Sequence, residues 1–269
     1  MVELKREDFM RLVDYMKKNY GINLERKQTL VEGRLWSVIR QKNMNSVAEY
    51  FDYVMNDATG YEAQTLITRL TTNYSYFMRE EPHYKYLREA ILPAAEREVQ
   101  DKDLRIWSAG CSSGEEAFTA AMMIDEYFGG RKSGWDTKIL ATDISPQVLR
   151  AAGQAVYPDD RLKHLPAHWR NRYFTRTGED QFKVSDDIRR EVIFRQFNLM
   201  TPVFPFKKGF HLIFCRNVMI YFEKETRDRL VEKFYDALLP GGYLFVGLSE
   251  TINKSESRFS FVQPSIFRK

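Results

Sequence analysis

Gly110, Gly114, Glu115, Glu116 and Asp143 are the residues whose types and spacing first point to chemistry. The stretch RIWSAGCSSGEE, residues 105–116, reads as a buried strand, a glycine break and an acidic helix start. A helix N-terminus ordinarily suits an anion. Two carboxylates there argue against a phosphate and for a group that is cationic or rich in hydroxyls. The turn is not a P-loop, because no GK[ST] follows, and its glycines lie four apart, which misses GxGxxG. A second strand ends in Ala141-Thr142-Asp143, where an acid can hold both hydroxyls of a ribose. Backbone amides, one or two glutamates and a ribose-binding aspartate together fit S-adenosylmethionine, which has a ribose, an ammonium, a sulfonium and no phosphate. The competing reading is that Glu115 and Glu116 only complement the helix dipole.

Such a turn works only at the C-terminal end of a strand in an open α/β sheet. From Leu104 the pattern supplies that setting. RIWSAG, KILATD, FHLIFCRN and GYLFVGLSE read as strands, and EEAFTAAMMIDEYF, SPQVLRAAGQAV and KETRDRLVEKFYDALL as helices. The alternation predicts a doubly wound, mostly parallel sheet. RYFTRTGEDQFKVSDDI breaks the rhythm and predicts a hairpin around Gly178 and Glu179. Before Leu104 the chain reads helical. Phe9, Leu12, Val13, Met16 and Tyr20 recur at helical spacing up to Gly21. Further helices are expected at about 25–42, from a Ser46 cap through Met55, at 61–71, and from about His83 to Val99 behind Pro82. The expected division is a helical domain over 1–72, a linker and connecting helix over 73–103, and an α/β domain over 104–269 with a β subdomain inserted at about 157–193.

Composition narrows the classes. The chain has 269 residues, 43% of them hydrophobic, with 29% charged and a net charge of +4. That charge alone does not argue for nucleic acid. Two cysteines without a CxxC pair exclude a disulfide framework or zinc ribbon. The start, MVELKREDFMRL, lacks the apolar run of a signal peptide, and no window reaches a membrane-spanning length. The expectation is a cytoplasmic monomer with no metal site, no nucleic acid and no membrane insertion. His164 and His168 lie four apart, but Pro166 between them spoils a helix. His83 and His211 read as ordinary, and Cys111 and Cys215 as structural.

The motifs resemble the chemotaxis receptor methyltransferase (CheR) family nearly end to end. The resemblance rests on Thr72-Asn73-Tyr74-Ser75-Tyr76-Phe77-Met78-Arg79-Glu80, on WSAGCSSGEE, on ATDIS at 141–145, on Cys215-Arg216-Asn217-Val218-Met219-Ile220-Tyr221-Phe222, and on GLSE at 247–250. It implies an α/β fold: a Rossmann-like S-adenosylmethionine-dependent methyltransferase domain with a small inserted antiparallel β subdomain, preceded by a small all-α domain. It implies glutamate O-methylation on the cytoplasmic domains of chemoreceptors. It carries cofactor contacts to Asn73, Ser75, Arg79, Glu116, Asp143, Asn198, Leu199, Arg216 and Asn217, and catalytic importance to Arg79 and Tyr221. Ser75 stands where threonine is common, Met78 where an aromatic is usual, and Ala117-Phe118 where Pro-Tyr is usual.

Those residue types suit the reaction. A glutamate nucleophile is already an anion at neutral pH, so no general base is needed. A guanidinium can fix a carboxylate by parallel hydrogen bonds, and a tyrosine ring tolerates a sulfonium. The plainer alternatives are a salt bridge from Arg79 to Glu80 or Glu81, a core role for Tyr221 and a turn-capping role for Asn217. The second helix is basic, with Arg26, Lys27, Arg34, Arg40 and Lys42, and reads either as a solvated face or as a dock for an acidic receptor bundle. The resemblance also implies that the β subdomain meets the receptor. The hairpin between Phe174 and Val184 is short, which points to an enzyme independent of a receptor tether peptide. A nucleic-acid methyltransferase, lacking here an NPPY-like motif, a non-catalytic cofactor sensor and a nicotinamide dehydrogenase are the rival readings.

Overall fold

Helix α1, Arg6–Tyr20, ends where glycine allows it to. Gly21 adopts φ 72°, its N–H reaches Lys17 O, and Ile22 N–H reaches Met16 O, a Schellman closure. The computed structural model describes residues 4–253 and 256–269; residues 1–3 of the expected helical domain lie outside them. Helices α2 (Gln28–Gln41), α3 (Val47–Asn56) and α4 (Tyr61–Leu70) follow. Ser46 caps α3 by accepting Glu49 N–H at 3.1 Å. The expected start of α2 near Glu25 is three residues early, because Glu25–Lys27 form a turn closed by Lys27 N–H on Leu24 O. Leu12, Val13, Met16, Val31, Leu35, Tyr50 and Leu66 pack this domain's own core.

The connecting helix is less regular than its periodicity predicts. It runs as α5 (Glu81–Tyr86), a π-helical turn (Leu87–Ile91) and α6 (Leu92–Glu98). Pro93 has no N–H and its ring crowds the carbonyl one turn back. A widened turn, with Leu92 N–H on Leu87 O, relieves both problems.

The α/β domain contains β1 (Ile106–Ala109), α7 (Glu115–Phe128), β2 (Ile139–Asp143), α8 (Pro146–Gln154), β3 (Val156–Pro158), α9 (Ala167–Tyr173), β4 (Phe174–Gly178), β5 (Gln181–Val184), α10 (Asp186–Arg189), β6 (Val192–Gln196), β7 (Phe210–Cys215), α11 (Lys224–Ala237), β8 (Leu238–Val246), β9 (Ser260–Gln263) and β10 (Ile266–Arg268). The main sheet is seven-stranded, in the order β6-β2-β1-β7-β8-β10-β9. β6 through β8 pair in parallel, and β10 and β9 close the edge antiparallel. The sequence reading missed β6, β9 and β10, strands of only three to five residues; β9 and β10 pair with each other, and β6 and β10 join the sheet through β2 and β8. The hairpin around Gly178 joins β3 in a separate three-stranded antiparallel sheet, β3-β5-β4.

Two cores flank the sheet. One holds α7, buried on nearly every side, with the π turn and the β subdomain. The other centres on Trp107, ringed by Phe197, Phe204, Phe206, Phe210 and Phe234, with its Nε1 donating to Thr142 Oγ1 at 2.9 Å. Strand order reverses between β1 and β7. The register sets Ala109 opposite Thr142 and Ser108 opposite Phe214, so Gly110, Asp143 and Arg216 emerge at one edge of the sheet.

Candidate active site

The turn after β1 is set by glycine geometry. Gly110 has φ 99°, and a Cβ there would lie 2.4 Å from Val218 Cγ2. Gly114 has φ 96° and would meet Ala152 Cβ at 3.0 Å. The amides of this turn do not face a ligand as expected. Gly110 and Cys111 N–H both donate to Thr142 O, at 2.8 and 2.9 Å, and Ser112 N–H donates to Asp143 Oδ2 at 2.9 Å. Ser145 N–H takes Asp143 Oδ1 at 2.9 Å. Each oxygen of Asp143 keeps lone-pair capacity for a hydroxyl. Burial pushes the Asp143 carboxyl up, and the backbone donors oppose it.

The two glutamates of α7 part company. Glu115 turns under the β subdomain, 1% exposed, with Ser113 Oγ donating to it at 2.7 Å and Arg161 3.5 Å away. Glu116 lines the cavity. Its Oε1 accepts Ser108 Oγ at 2.7 Å and its Oε2 meets Arg216 Nη1 at 3.1 Å. Burial raises the carboxyls of both glutamates; at Glu116, Arg216 and Ser108 pull the other way.

Arg216 was expected beside the cofactor. It lines the cavity, but its side chain is 2% exposed and fully engaged. It pairs with Glu80 at 3.0 Å and Glu116 at 3.1 Å, donates to Tyr84 Oη at 3.2 Å, and donates to Arg79 O. His83 sits beneath this pair, 1% exposed. Burial, then Arg216, drive it down to about 3, so it is neutral at physiological pH and less ordinary than its sequence context indicated.

The linker crosses the cavity. Asn73 O accepts Ser112 Oγ at 2.9 Å, and Ser75 O accepts Arg161. Phe77 anchors the strap, edge-on to Tyr157 and Phe174. The salt bridge expected for Arg79 as its plain alternative goes elsewhere: Glu80 pairs with Arg216, while Arg79 Nη1 donates to Tyr74 O at 2.9 Å.

Tyr221 ends a short 3-10 turn after β7. Glu250 shapes that segment. Its buried carboxylate accepts N–H from Gly247 at 2.6 Å, Asn217 at 2.8 Å and Ile220 at 3.1 Å. Asn217, at φ 59°, therefore receives a cap rather than providing one, and its Nδ2 donates to Glu80 Oε1 at 3.2 Å. The helical domain closes over the same segment. Ile22 bridges Phe222, Asn23 N–H donates to Tyr221 O at 2.9 Å, and Lys27 Nζ lies 5.0 Å from the Tyr221 ring centre. Asn198 Nδ2 donates to Asn19 O at 2.8 Å, while its Oδ1 accepts Met200 N–H.

One cavity of about 260 Å³ results, and it brings together Asn73, Ser75, Arg79, Glu116, Asp143, Asn198, Leu199, Arg216, Asn217 and Tyr221. Tyr20, Ile22 and Thr71 of the helical domain line it too. The sequence reading missed them, as it missed the roles of Glu80, Tyr84 and Glu250; the available signals were the glutamates that close the 72–80 motif and GLSE. Cys111 and Cys215 are free and buried, and burial pushes both thiols up. Among the described residues no helix is long and apolar enough to cross a membrane, and no His, Cys, Asp or Glu cluster could hold a metal.

Comparison with known proteins gives concordant matches. Residues 73–267 match a family described as CheR methyltransferase, SAM binding domain, and residues 7–71 match CheR methyltransferase, all-alpha domain. A chemotaxis protein methyltransferase of Borreliella burgdorferi is 39% identical over 272 aligned residues, covering 100% of this chain and 96% of that protein. Chemotaxis protein methyltransferase 2 of Vibrio cholerae is 37% identical, covering 94% and 88%. Its namesake in Pseudomonas aeruginosa is 40% identical, covering 91% and 86%.

Proposed function

From its membership of the CheR methyltransferase family, to which this chain belongs along nearly its whole length, we propose that it esterifies glutamate side chains on the cytoplasmic domains of chemoreceptors. It is an S-adenosylmethionine-dependent methyltransferase of chemotaxis. The donor set suits that cofactor. Asp143 retains acceptor capacity for ribose hydroxyls, Glu116 offers a carboxylate to a cation, and Gly110 leaves no room for a side chain. When bound, the cofactor supplies a methyl group made electrophilic by its sulfonium.

The chain's own residues contribute placement and dryness. Arg79, on the linker, is the cavity-lining guanidinium with a side chain not locked into ion pairs of the kind that hold Arg216. We assign it to orienting a carboxylate. Tyr221 presents a ring at the reacting end. The helical domain, through Tyr20 and Ile22, narrows the cavity and limits water. No general base is required, because the nucleophile is already ionised. The observation that carries this reading is the convergence of Arg79, Glu116, Asp143 and Tyr221 on one cavity.

Receptor docking is assigned to the exposed remainder of the basic α2 face. Arg34 is excluded, because its guanidinium donates to Leu70 O, Thr71 O and Thr72 Oγ1 at 2.8, 3.0 and 2.8 Å. Lys42 is held by Glu62 at 2.7 Å. Arg40 on α2, and Arg26 in the turn just before it, remain exposed. The β4–β5 hairpin has a two-residue turn, Glu179-Asp180, in keeping with a tether-independent enzyme.

The test is transfer of label from S-adenosylmethionine to a receptor cytoplasmic fragment, followed by treatment with base. Base-labile label on the receptor is expected. Base-stable label, or transfer to RNA or DNA instead, would overturn the glutamate assignment.

A further inference from the structure

Glu80, to which no part in methyl transfer has been assigned, bonds to residues of two other segments through both of its carboxylate oxygens. It follows Arg79 directly and adopts a left-handed backbone, φ 60° and ψ 59°. Met78, on the other side of Arg79, is also left-handed at φ 61°. Two non-glycine residues in that region are strained and persist only where neighbours over-determine them. The Glu80 carboxylate supplies the restraint. Its Oε2 accepts Arg216 Nε at 3.1 Å and pairs with Arg216 Nη2 at 3.0 Å. Its Oε1 accepts Asn217 Nδ2 at 3.2 Å and Leu248 N–H at 3.2 Å. One side chain therefore joins the linker, the segment leaving β7 and the segment leaving β8.

The two ends of that junction carry the reaction. Arg216, gripped by Glu80, donates to Arg79 O, so the backbone of Arg79 is held from both sides while its guanidinium reaches the cavity. Asn217, also gripped by Glu80, begins the turn that ends at Tyr221. We propose that Glu80 is a positioning residue for methyl transfer, setting the placement of Arg79 relative to Tyr221. It touches the reacting groups only through Arg216, Asn217 and its own backbone. Burial tends to raise the Glu80 carboxyl, and Arg216, Asn217 and Leu248 outweigh it, so the group is ionised at neutral pH. The inference rests on the proposed glutamate esterification, since kcat on that substrate is its readout.

The experiment compares wild type, Glu80→Gln and Glu80→Asp for kcat and KM on a receptor cytoplasmic fragment, for S-adenosylmethionine affinity by calorimetry, and for thermal midpoint. Glutamine keeps the size but turns an NH2 toward donors. The expected kcat loss is roughly ten- to a hundredfold, the cost of misplacing reacting groups by a fraction of an ångström to one ångström. Receptor KM should stay within about threefold, because α2 is untouched. Aspartate keeps the charge and should recover part of the loss. A purely structural Glu80 would lower the midpoint and leave kcat per folded molecule unchanged in both variants, which would overturn the inference. If Glu80→Gln does not fold, Glu80→Asp decides: a reduced kcat at unchanged KM supports the role, and a wild-type kcat removes it. Absence of base-labile transfer by the wild type would instead sink the esterification reading, and this inference with it.

Discussion

Arg216 Nη1 and Glu116 Oε2 meet at 3.1 Å under the floor of the cavity, with the arginine side chain 2% exposed. The pair places a fixed carboxylate where a cationic ligand would lie. Breaking a buried pair by removing one partner leaves an uncompensated charge and costs about 3–5 kcal/mol. Arg216→Met should therefore lower unfolding stability by about that amount in urea titrations and abolish S-adenosylmethionine binding. A loss under about 1 kcal/mol would show that Glu116 and Glu80 do not depend on it.

Acidification should weaken cofactor binding earlier than ordinary carboxylates would. Burial raises Glu116 above 4.5 and Asp143 above 3.8. A cation prefers Glu116 ionised and ribose hydroxyls donate to an ionised Asp143, so affinity falls as pH drops through the raised values and binding releases protons there. The sign for folding is opposite. An acid raised in the folded state binds more protons there than when unfolded, so its contribution to stability falls as pH rises from the ordinary value to the raised one. Calorimetry against pH should show the earlier onset in wild type and a flatter dependence, at weaker affinity, in Asp143→Asn.

Arg79 should separate chemistry from binding. Arg79→Ala and Arg79→Lys should both lose about a hundredfold or more in kcat, because an ammonium does not reproduce a planar two-donor grip. Full turnover with normal cofactor affinity in Arg79→Ala would remove the orienting role.

The α2 surface should split by residue. Arg40→Glu should raise receptor KM with kcat unchanged and flatten its dependence on salt. Arg34→Ala should act on stability instead, by about 1–3 kcal/mol, since it leaves the carbonyls of Leu70 and Thr71 without their donor. A salt-sensitive KM effect from Arg34→Ala with unchanged stability would reverse that division.

Gly110→Ala should be damaging out of proportion to one methyl group. The added Cβ would sit 2.4 Å from Val218 Cγ2 at φ 99°. Strain of about 1–3 kcal/mol is expected in denaturation. Because Val218 lies in the segment that ends at Tyr221, kcat should fall as well.

Most elements were legible because their signals are local. Periodicity marked α1 and α7, Ser46 marked the start of α3, and the turn from Gly110 to Gly114 marked a strand end that borders the cavity. β6, β9 and β10 left weaker marks: they are three to five residues long, β6 and β10 are strands through pairing with β2 and β8, and β9 is the edge strand that pairs only with β10. Pro93 was visible in the sequence, but the π turn that absorbs it depends on packing around Leu87 and Ile91.

By itself the sequence determined the fold class, the family and those cavity residues that fall in short motifs with fixed spacing; Tyr20, Ile22 and Thr71, which lie in no such motif, came only from the fold. Only the tertiary structure decided what those residues do with their side chains. Glu115 and Glu116 are neighbours, yet a helix turns about 100° per residue. One is therefore buried under the β subdomain and the other faces the cavity. Arg34 and Arg40 are the same residue type on one helix, yet the C-terminus of α4 claims only Arg34. Glu80 and Arg216 are separated by 136 residues, and their contact exists only because β7 delivers Arg216 to the sheet edge that the linker crosses. Local propensity is encoded residue by residue, whereas partners for buried charge are assigned by packing.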